Sequence, residues 1–215
     1  MKKLFIIISF FITVACEPWN ERFSEKEYEE DDSEISNSEV LFYDIAGERQ
    51  KVKQLDYDDT KTLRKETIYR DKKTYKIKLY NEDGNLVKEE TYNDGDELDG
   101  SRIIYYPNGN IKEDYSFVDG SNHGKFNSYF ENGSLKTDLE YSKGDMTGTC
   151  SWYYPSGNLM IIKDFSTGVN YKIEFHENGE KKAEGPFGSG DLFNANVGHW
   201  VFYDKQGRVT LEMNY

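Results

Sequence analysis

Tyr105-Tyr106-Pro107-Asn108-Gly109-Asn110-Ile111, Tyr129-Phe130-Glu131-Asn132-Gly133-Ser134-Leu135 and Tyr153-Tyr154-Pro155-Ser156-Gly157-Asn158-Leu159 are three copies of one heptapeptide, 24 residues apart. Each sets two aromatic residues before a turn that ends in Gly and one aliphatic residue after it. Aromatic and β-branched residues favour strands, and Gly supplies the positive φ of a tight hairpin turn, so each copy predicts strand, turn, strand. The turn glycines recur at Gly84, Gly109, Gly133, Gly157, Gly179 and Gly207, with spacings of 25, 24, 24, 22 and 28. A second series, Gly95, Gly120, Gly144 and Gly168, and a third, Gly100, Gly124 and Gly148, run in phase with the first. Self-similarity at a fixed period of this length marks a repeat array.

Weaker copies extend the pattern outward. Tyr57, Leu63, Lys65, Glu66 and Tyr69 have the spacing of Tyr80, Leu86, Lys88, Glu89 and Tyr92, and a first unit starts near Phe42. A final unit, Gly198 to Tyr203, follows a longer insertion, Phe187 to Val197. No stretch after Cys16 has a helical period. The expectation is an all-β chain: an elongated antiparallel β-meander of repeated hairpins, with about 22–25 residues per unit, over residues 41–215.

The pattern (Y/F)-(Y/F)-x-N-G-x-(L/I), preceded by G-x-φ-x-x-(Y/F)-(Y/F) and followed by Y-x-x-G-x-φ-x-G (φ here an apolar residue), resembles MORN repeats. It is most similar to the bacterial MORN-repeat variant of the YwqK antitoxin type. The resemblance covers residues 42 to 215 and is strongest over 98 to 164. It implies an interaction module.

Counting each strand from its opening Gly, position five reads Leu79, Tyr105, Tyr129, Tyr153, Phe175, and position six reads Tyr80, Tyr106, Phe130, Tyr154, His176. Neighbouring strand residues face opposite sides, so each face should carry an aromatic row. Position five is the more apolar and is assigned to the core. Tyr80, Tyr106, Phe130, Tyr154 and His176 form the candidate binding surface, because amphipathic rigid rings suit partner proteins, glycans and lipids. Packing along the ladder is the competing explanation for the same row.

At the other end, Met1-Lys2-Lys3 precedes an apolar run from Leu4 to Ala15. Twelve helical residues reach roughly 18 Å, short of a hydrocarbon core of about 30 Å, so 1–15 reads as a signal peptide and not a membrane span. Thr13-Val14-Ala15-Cys16 resembles the lipobox of bacterial lipoproteins, which implies lipidation of Cys16 and a membrane anchor there. Residues 16–40 read as a flexible acidic tether: 17–40 hold ten acids and two bases. The expected location is the cell envelope, at the outer membrane, with the periplasmic or surface face open.

The whole chain has 215 residues, 27 basic and 40 acidic, for a net charge of −13. That charge disfavours nucleic acid as a partner. With 17 Tyr, 13 Phe and 3 Trp it is too rich in core-forming residues for full disorder. Charge is uneven: residues 49–78 carry eleven bases and five acids, residues 89–215 eleven bases and 21 acids. Docking of the acidic tether on the basic stretch, or contact of that stretch with anionic headgroups, are sharper readings than solvation.

Chemistry is sparse. His123, His176 and His199 form no metal pair. Asp94, Asp96, Glu97 and Asp99 fail as a calcium loop, because Tyr105 stands where the twelfth-position Glu belongs. Cys150 reads as a small core residue. No cofactor, no metal and no catalytic residue is expected, and the chain is not expected to be an enzyme. The expected function is a non-catalytic scaffold or interaction module, anchored by lipid, with a protein partner. An antitoxin or immunity protein that neutralises a toxin by binding is the alternative, and glycan or lipid binding by the aromatic row is a second.

Overall fold

The computed structural model describes residues 25–27, 38–45, 47–189 and 195–215. The signal peptide, Cys16 and most of the acidic tether lie outside the described residues. Among the described residues the chain is all-β, antiparallel throughout, with no helix. They fall into two compact units that divide between Glu97 and Leu98.

The first unit holds β1 (Glu25–Glu27), β2 (Ser38–Ile45), β3 (Glu48–Tyr57), β4 (Leu63–Arg70), β5 (Lys73–Tyr80) and β6 (Leu86–Tyr92), each paired antiparallel with the next. β1 lies within the acidic segment, and β2 begins at Ser38, ahead of residue 41.

The second unit opens with β7 (Leu98–Tyr105), β8 (Ile111–Val118), β9 (Ser121–Tyr129) and β10 (Leu135–Ser142). It continues with β11 (Asp145–Met146), β12 (Thr149–Tyr153), β13 (Leu159–Asp164) and β14 (Tyr171–Phe175). It closes with β15 (Lys181–Pro186), β16 (His199–Tyr203) and β17 (Val209–Asn214). These also form a meander in chain order, β10 pairing with both β11 and β12.

One turn recurs at the head of the hairpins. At 106–110, the Gly109 N–H donates to the Tyr106 carbonyl (2.9 Å) and the Tyr106 N–H to the Asn110 carbonyl (2.8 Å). This is a type I turn closed by a left-handed residue, Gly109 at φ 86°. The same pair of bonds closes 58–62, 81–85, 93–97, 130–134, 154–158, 176–180 and 204–208. Every one of these turns is preceded by an aromatic ring: Tyr57, Tyr80, Tyr92, Tyr105, Tyr129, Tyr153, Phe175 and Tyr203. In most hairpins the ring sits opposite the aliphatic residue that follows the turn, as in Tyr80↔Leu86, Tyr105↔Ile111, Tyr129↔Leu135 and Tyr153↔Leu159. Such cross-strand pairs stabilise a hairpin by a few tenths to about 1 kcal/mol each, which explains the two ends of the heptapeptide.

The other ends of several strands close more tightly. Asp71-Lys72, Asp119-Gly120 and Lys143-Gly144 are two-residue links with positive φ at both positions. That is the type I′ turn, whose twist matches the strands it joins.

This geometry corrects the alignment of the first row. Turn 81–85 superposes on 106–110 with Asn81, not Tyr80, at the place of Tyr106. Tyr80 stands four residues before its turn glycine, whereas Tyr106 stands three before, so Tyr80 belongs with Tyr105 and Leu79 falls out of that row.

The core is also elsewhere than expected. Residues of both rows are half-buried. The buried apolar side chains of the second unit are Phe117, Leu139, Cys150, Ala183, Phe187 and Trp200. Register places Phe117, Leu139, Cys150, Ala183 and Trp200 on one face of the sheet, with Tyr115, Phe126, Trp152 and Phe202. Mid-strand positions win because each has a ladder neighbour on both sides, while the turn-proximal rings lie near the solvated ends.

Candidate interaction surface

The five residues singled out from the sequence do not form a free platform. The Tyr106 hydroxyl donates to the Tyr129 carbonyl (2.9 Å), and the Tyr154 hydroxyl to the Phe175 carbonyl (2.9 Å). His176 Nε2 lies 3.1 Å from the Tyr203 carbonyl. Each therefore reaches the pre-turn residue of the next hairpin. Phe130, which has no polar end, sits with Lys136 Nζ 5.8 Å from its ring centre. Tyr80 turns to a different partner, donating to Glu66 Oε2 at 3.0 Å. Burial, then the bond to Glu66, push its phenol up to about 12.

The turn amides act in the same way. Asn108 and Asn110 both donate through Nδ2 to the Glu131 carbonyl (3.0 and 2.9 Å). Asn158 donates to the Glu177 carbonyl (2.7 Å) and Asn178 to the Lys205 carbonyl (2.9 Å). The heptapeptide thus carries the fastening between repeats.

The third glycine series has a role that the sequence reading did not assign. Gly100 lies opposite Phe117 and Gly124 opposite Tyr141. The Phe165 N–H donates to the Gly148 carbonyl, and Gly198 and Tyr215 exchange both backbone bonds. In all four pairs the aromatic residue follows its glycine by 17 residues. All four glycines sit at positive φ (95°, 83°, 62° and 64°), a conformation that L side chains rarely adopt. The constant separation was the available signal.

The two faces of the second unit differ in chemistry. The core face is closed over by its own long cations. Arg102 lies over Phe117 (5.2 Å), Lys163 over Trp152 and Phe187 (5.5 and 5.1 Å), and Lys172 over Trp200 (4.9 Å). Lys163 and Lys172 face each other across β13 and β14. Burial, with the charge of Lys172 second, holds the Lys163 ammonium below its ordinary value. The opposite face presents a row joined by register, including Ile103, Asp114, Asp138, Ile162, Ile173, Glu184 and Val201. All seven are half-buried. Burial pushes the Asp114 carboxyl up, and Asp138 pairs with Lys125 at 3.1 Å.

In the first unit, Glu66 is buried among Lys53 (2.5 Å), Lys78 (3.7 Å) and Tyr80. Glu90 is buried against Lys88 (3.0 Å) and the Tyr92 hydroxyl (3.0 Å). Much of the basic stretch is thus committed to internal pairs.

A hollow of about 300 Å³ is lined by Tyr141, Met146, Phe165 and Asn170, among others. Among the described residues no three His, Cys, Asp or Glu side chains gather as a metal group. Cys150 is fully buried, and its thiol is pushed up first by burial. No described helix is long and apolar enough to cross a membrane.

Four segments, residues 76–94, 98–119, 122–143 and 146–166, match the MORN repeat variant family. They correspond to the hairpins β5–β6, β7–β8, β9–β10 and β12–β13. The chain is thus an array of repeated β-hairpins, four of which are similar to the MORN repeat variant. The same closing turn also heads β3–β4, β14–β15 and β16–β17, which extends the pattern to seven hairpins. No curated protein matches the chain.

Proposed function

We propose that this MORN-repeat array is a non-catalytic binding and scaffold module, held in the cell envelope by a lipid on Cys16, with another protein as its partner. The observation that carries the proposal is a division of labour. Turn amides and turn-proximal rings fasten the repeats, so the row from Ile103 to Val201 is free to carry specificity. That row combines acids with aliphatic residues and suits a partner presenting apolar residues flanked by Lys or Arg. The N-terminal run ending at Cys16 supports the anchor.

Two measurements test it. A photo-cross-linker at Ile162 or Ile173 is expected to trap a partner in intact cells, and one in place of Asn108 is not. Trapping equally well at Asn108, or nowhere, overturns the choice of face. Palmitate labelling that disappears in Cys16→Ala is expected, and unlabelled soluble protein overturns the anchor. A trapped partner whose toxicity falls on binding would replace the scaffold role with neutralisation.

A further inference from the structure

We propose that the hollow beside β11 is a binding site for a small organic cation that carries a methylated ammonium group. Its volume is about 300 Å³, at the lower end of small-molecule sites. Tyr141, Asp145, Met146, Phe165 and Asn170 line it. Tyr141 of β10 lies opposite Met146 of β11 and stands two residues from buried Leu139, on the core face. The site is therefore separate from the row, running from Ile103 to Val201, that is proposed to meet a protein partner.

The pattern of rings points to the chemistry of the ligand. Phe117, Tyr141, Phe165 and Phe187 recur at spacings of 24, 24 and 22. The chain itself supplies a cation to the outer two: Arg102 lies 5.2 Å from the ring centre of Phe117, and Lys163 5.1 Å from that of Phe187. Among the described residues no cation stands over Tyr141 or Phe165, and these are the two rings that line the hollow. A bound cation would complete the series.

The rest of the lining selects the sign of the charge. Asp145 is its only charged residue. Lys143 and Lys163, each two residues from a lining side chain, are not part of the lining. Residues 89–215 carry 21 acids against eleven bases, so the wider field has the same sign. Among the described residues the side chains of Tyr141, Asp145 and Asn170 form no hydrogen bond or ion pair, which leaves them open to a ligand. A methylated ammonium has no N–H to satisfy and is weakly hydrated, so it gains from rings and from the polarizable sulfur of Met146. A calcium ion would find a single carboxylate, and a neutral apolar molecule would leave that carboxylate unused.

The test uses the full chain with Cys16→Ser, labelled at the methionine methyls, and choline as the probe. The Met146 methyl resonance should shift in a saturable way at millimolar choline, and those of Met160 and Met213 should not. The neutral isostere of choline, with carbon in place of nitrogen, should bind about tenfold more weakly. Phe165→Leu and Asp145→Asn should each weaken choline binding by about threefold or more, with an unchanged circular dichroism spectrum. Asp145 is exposed, so its replacement tests the site without disturbing packing. Phosphatidylcholine vesicles identify the source of the group: they sediment the chain, in a manner that depends on Phe165, if a lipid headgroup supplies it, and leave it in the supernatant if a free solute does. No saturable shift below about 50 mM choline overturns the proposal. So does equal affinity for the neutral isostere, or a choline affinity indifferent to either substitution.

Discussion

Replacing Gly185 with Ala tests how tightly the core face is packed. Gly185 is not in the left-handed region, so an added Cβ costs nothing through φ. Its cost is contact. An ideal Cβ would lie 2.6 Å from Cγ and Cδ2 of Trp200 and 2.7 Å from Cδ1. Ordinary contact begins near 3.5 Å, so the indole must retreat by about 1 Å. It has little room, being 1% exposed. Its Nε1–H donates to the Pro186 carbonyl (2.8 Å) and the Val197 carbonyl (3.2 Å), and Lys172 caps the ring at 4.9 Å. Overpacking costs about 1–3 kcal/mol, and a weakened indole bond adds about 1 kcal/mol. The expected loss is about 2–4 kcal/mol, read from urea unfolding by the fluorescence of Trp152 and Trp200. Gly109→Ala is the control. It has no atom within 4 Å of the new Cβ but sits at φ +86°, so it should lose about 1–2 kcal/mol through the backbone alone. In a Trp200→Phe background the cost of Gly185→Ala should shrink by about 1 kcal/mol or more, and that of Gly109→Ala should not move. A Gly185→Ala protein within about 0.5 kcal/mol of wild type would refute the packing argument; a cost unchanged by Trp200→Phe would refute it equally.

Three further outcomes are expected. Lys72 sits at φ 67° in the tight Asp71-Lys72 turn, so Lys72→Gly should stabilise the first unit by up to about 1 kcal/mol, the lost pair with Glu48 being exposed and weak; a lower urea midpoint would count against this. Burial raises the Glu66 carboxyl, but the bond and charge of Lys53, the charge of Lys78 and the Tyr80 hydroxyl outweigh it and hold the group below its usual value. Its stabilisation is therefore present above the unfolded carboxylate range, near 4.3, and is lost as pH falls through the lower folded value. Glu66→Gln should flatten the acid loss of stability, and an unchanged acid slope would contradict the assignment. In a Cys16→Ser background, Cys150 should react with a thiol reagent only as fast as the sheet opens, and reaction at the rate of a free thiol would show that it is not buried.

The fold was legible because its signal is periodic. Three glycine series in phase and the repeated Tyr-x-x-Asn-Gly core allow little besides consecutive hairpins. The alignment of the candidate row was less legible at its first member, and the reason is one residue of register. Counting from an opening glycine placed Tyr80 beside Tyr106, whereas the turn places Asn81 there. The Asn81 side chain accepts from the Asp83 and Asn85 N–H groups of its own turn. The two side chains do different work there, since Asn81 closes its own turn while Tyr106 and Tyr154 reach the next hairpin, and composition alone does not show that they share a position. The core was misplaced for a related reason. Aromatic content suggested the turn-proximal rows, but burial goes to mid-strand residues such as Leu139 and Cys150, which a motif search passes over.

The turns explain why the heptapeptide recurs where a lone hairpin would not need it. A strand ladder satisfies the backbone along the strand middles. At the turns the chain leaves the ladder, and the Glu131, Glu177 and Lys205 carbonyls have no strand opposite them. Those are the carbonyls that receive Asn108, Asn110, Asn158 and Asn178. The pre-turn carbonyls of Tyr129 and Phe175 likewise receive Tyr106 and Tyr154. Backbone acceptors that a hairpin cannot satisfy alone are thus satisfied by the side chains of its neighbour. The requirement belongs to the junction between repeats, so stability propagates from one hairpin to the next, as in other linear arrays. Under the function proposed above, specificity then falls to the mid-strand positions that differ from one repeat to another.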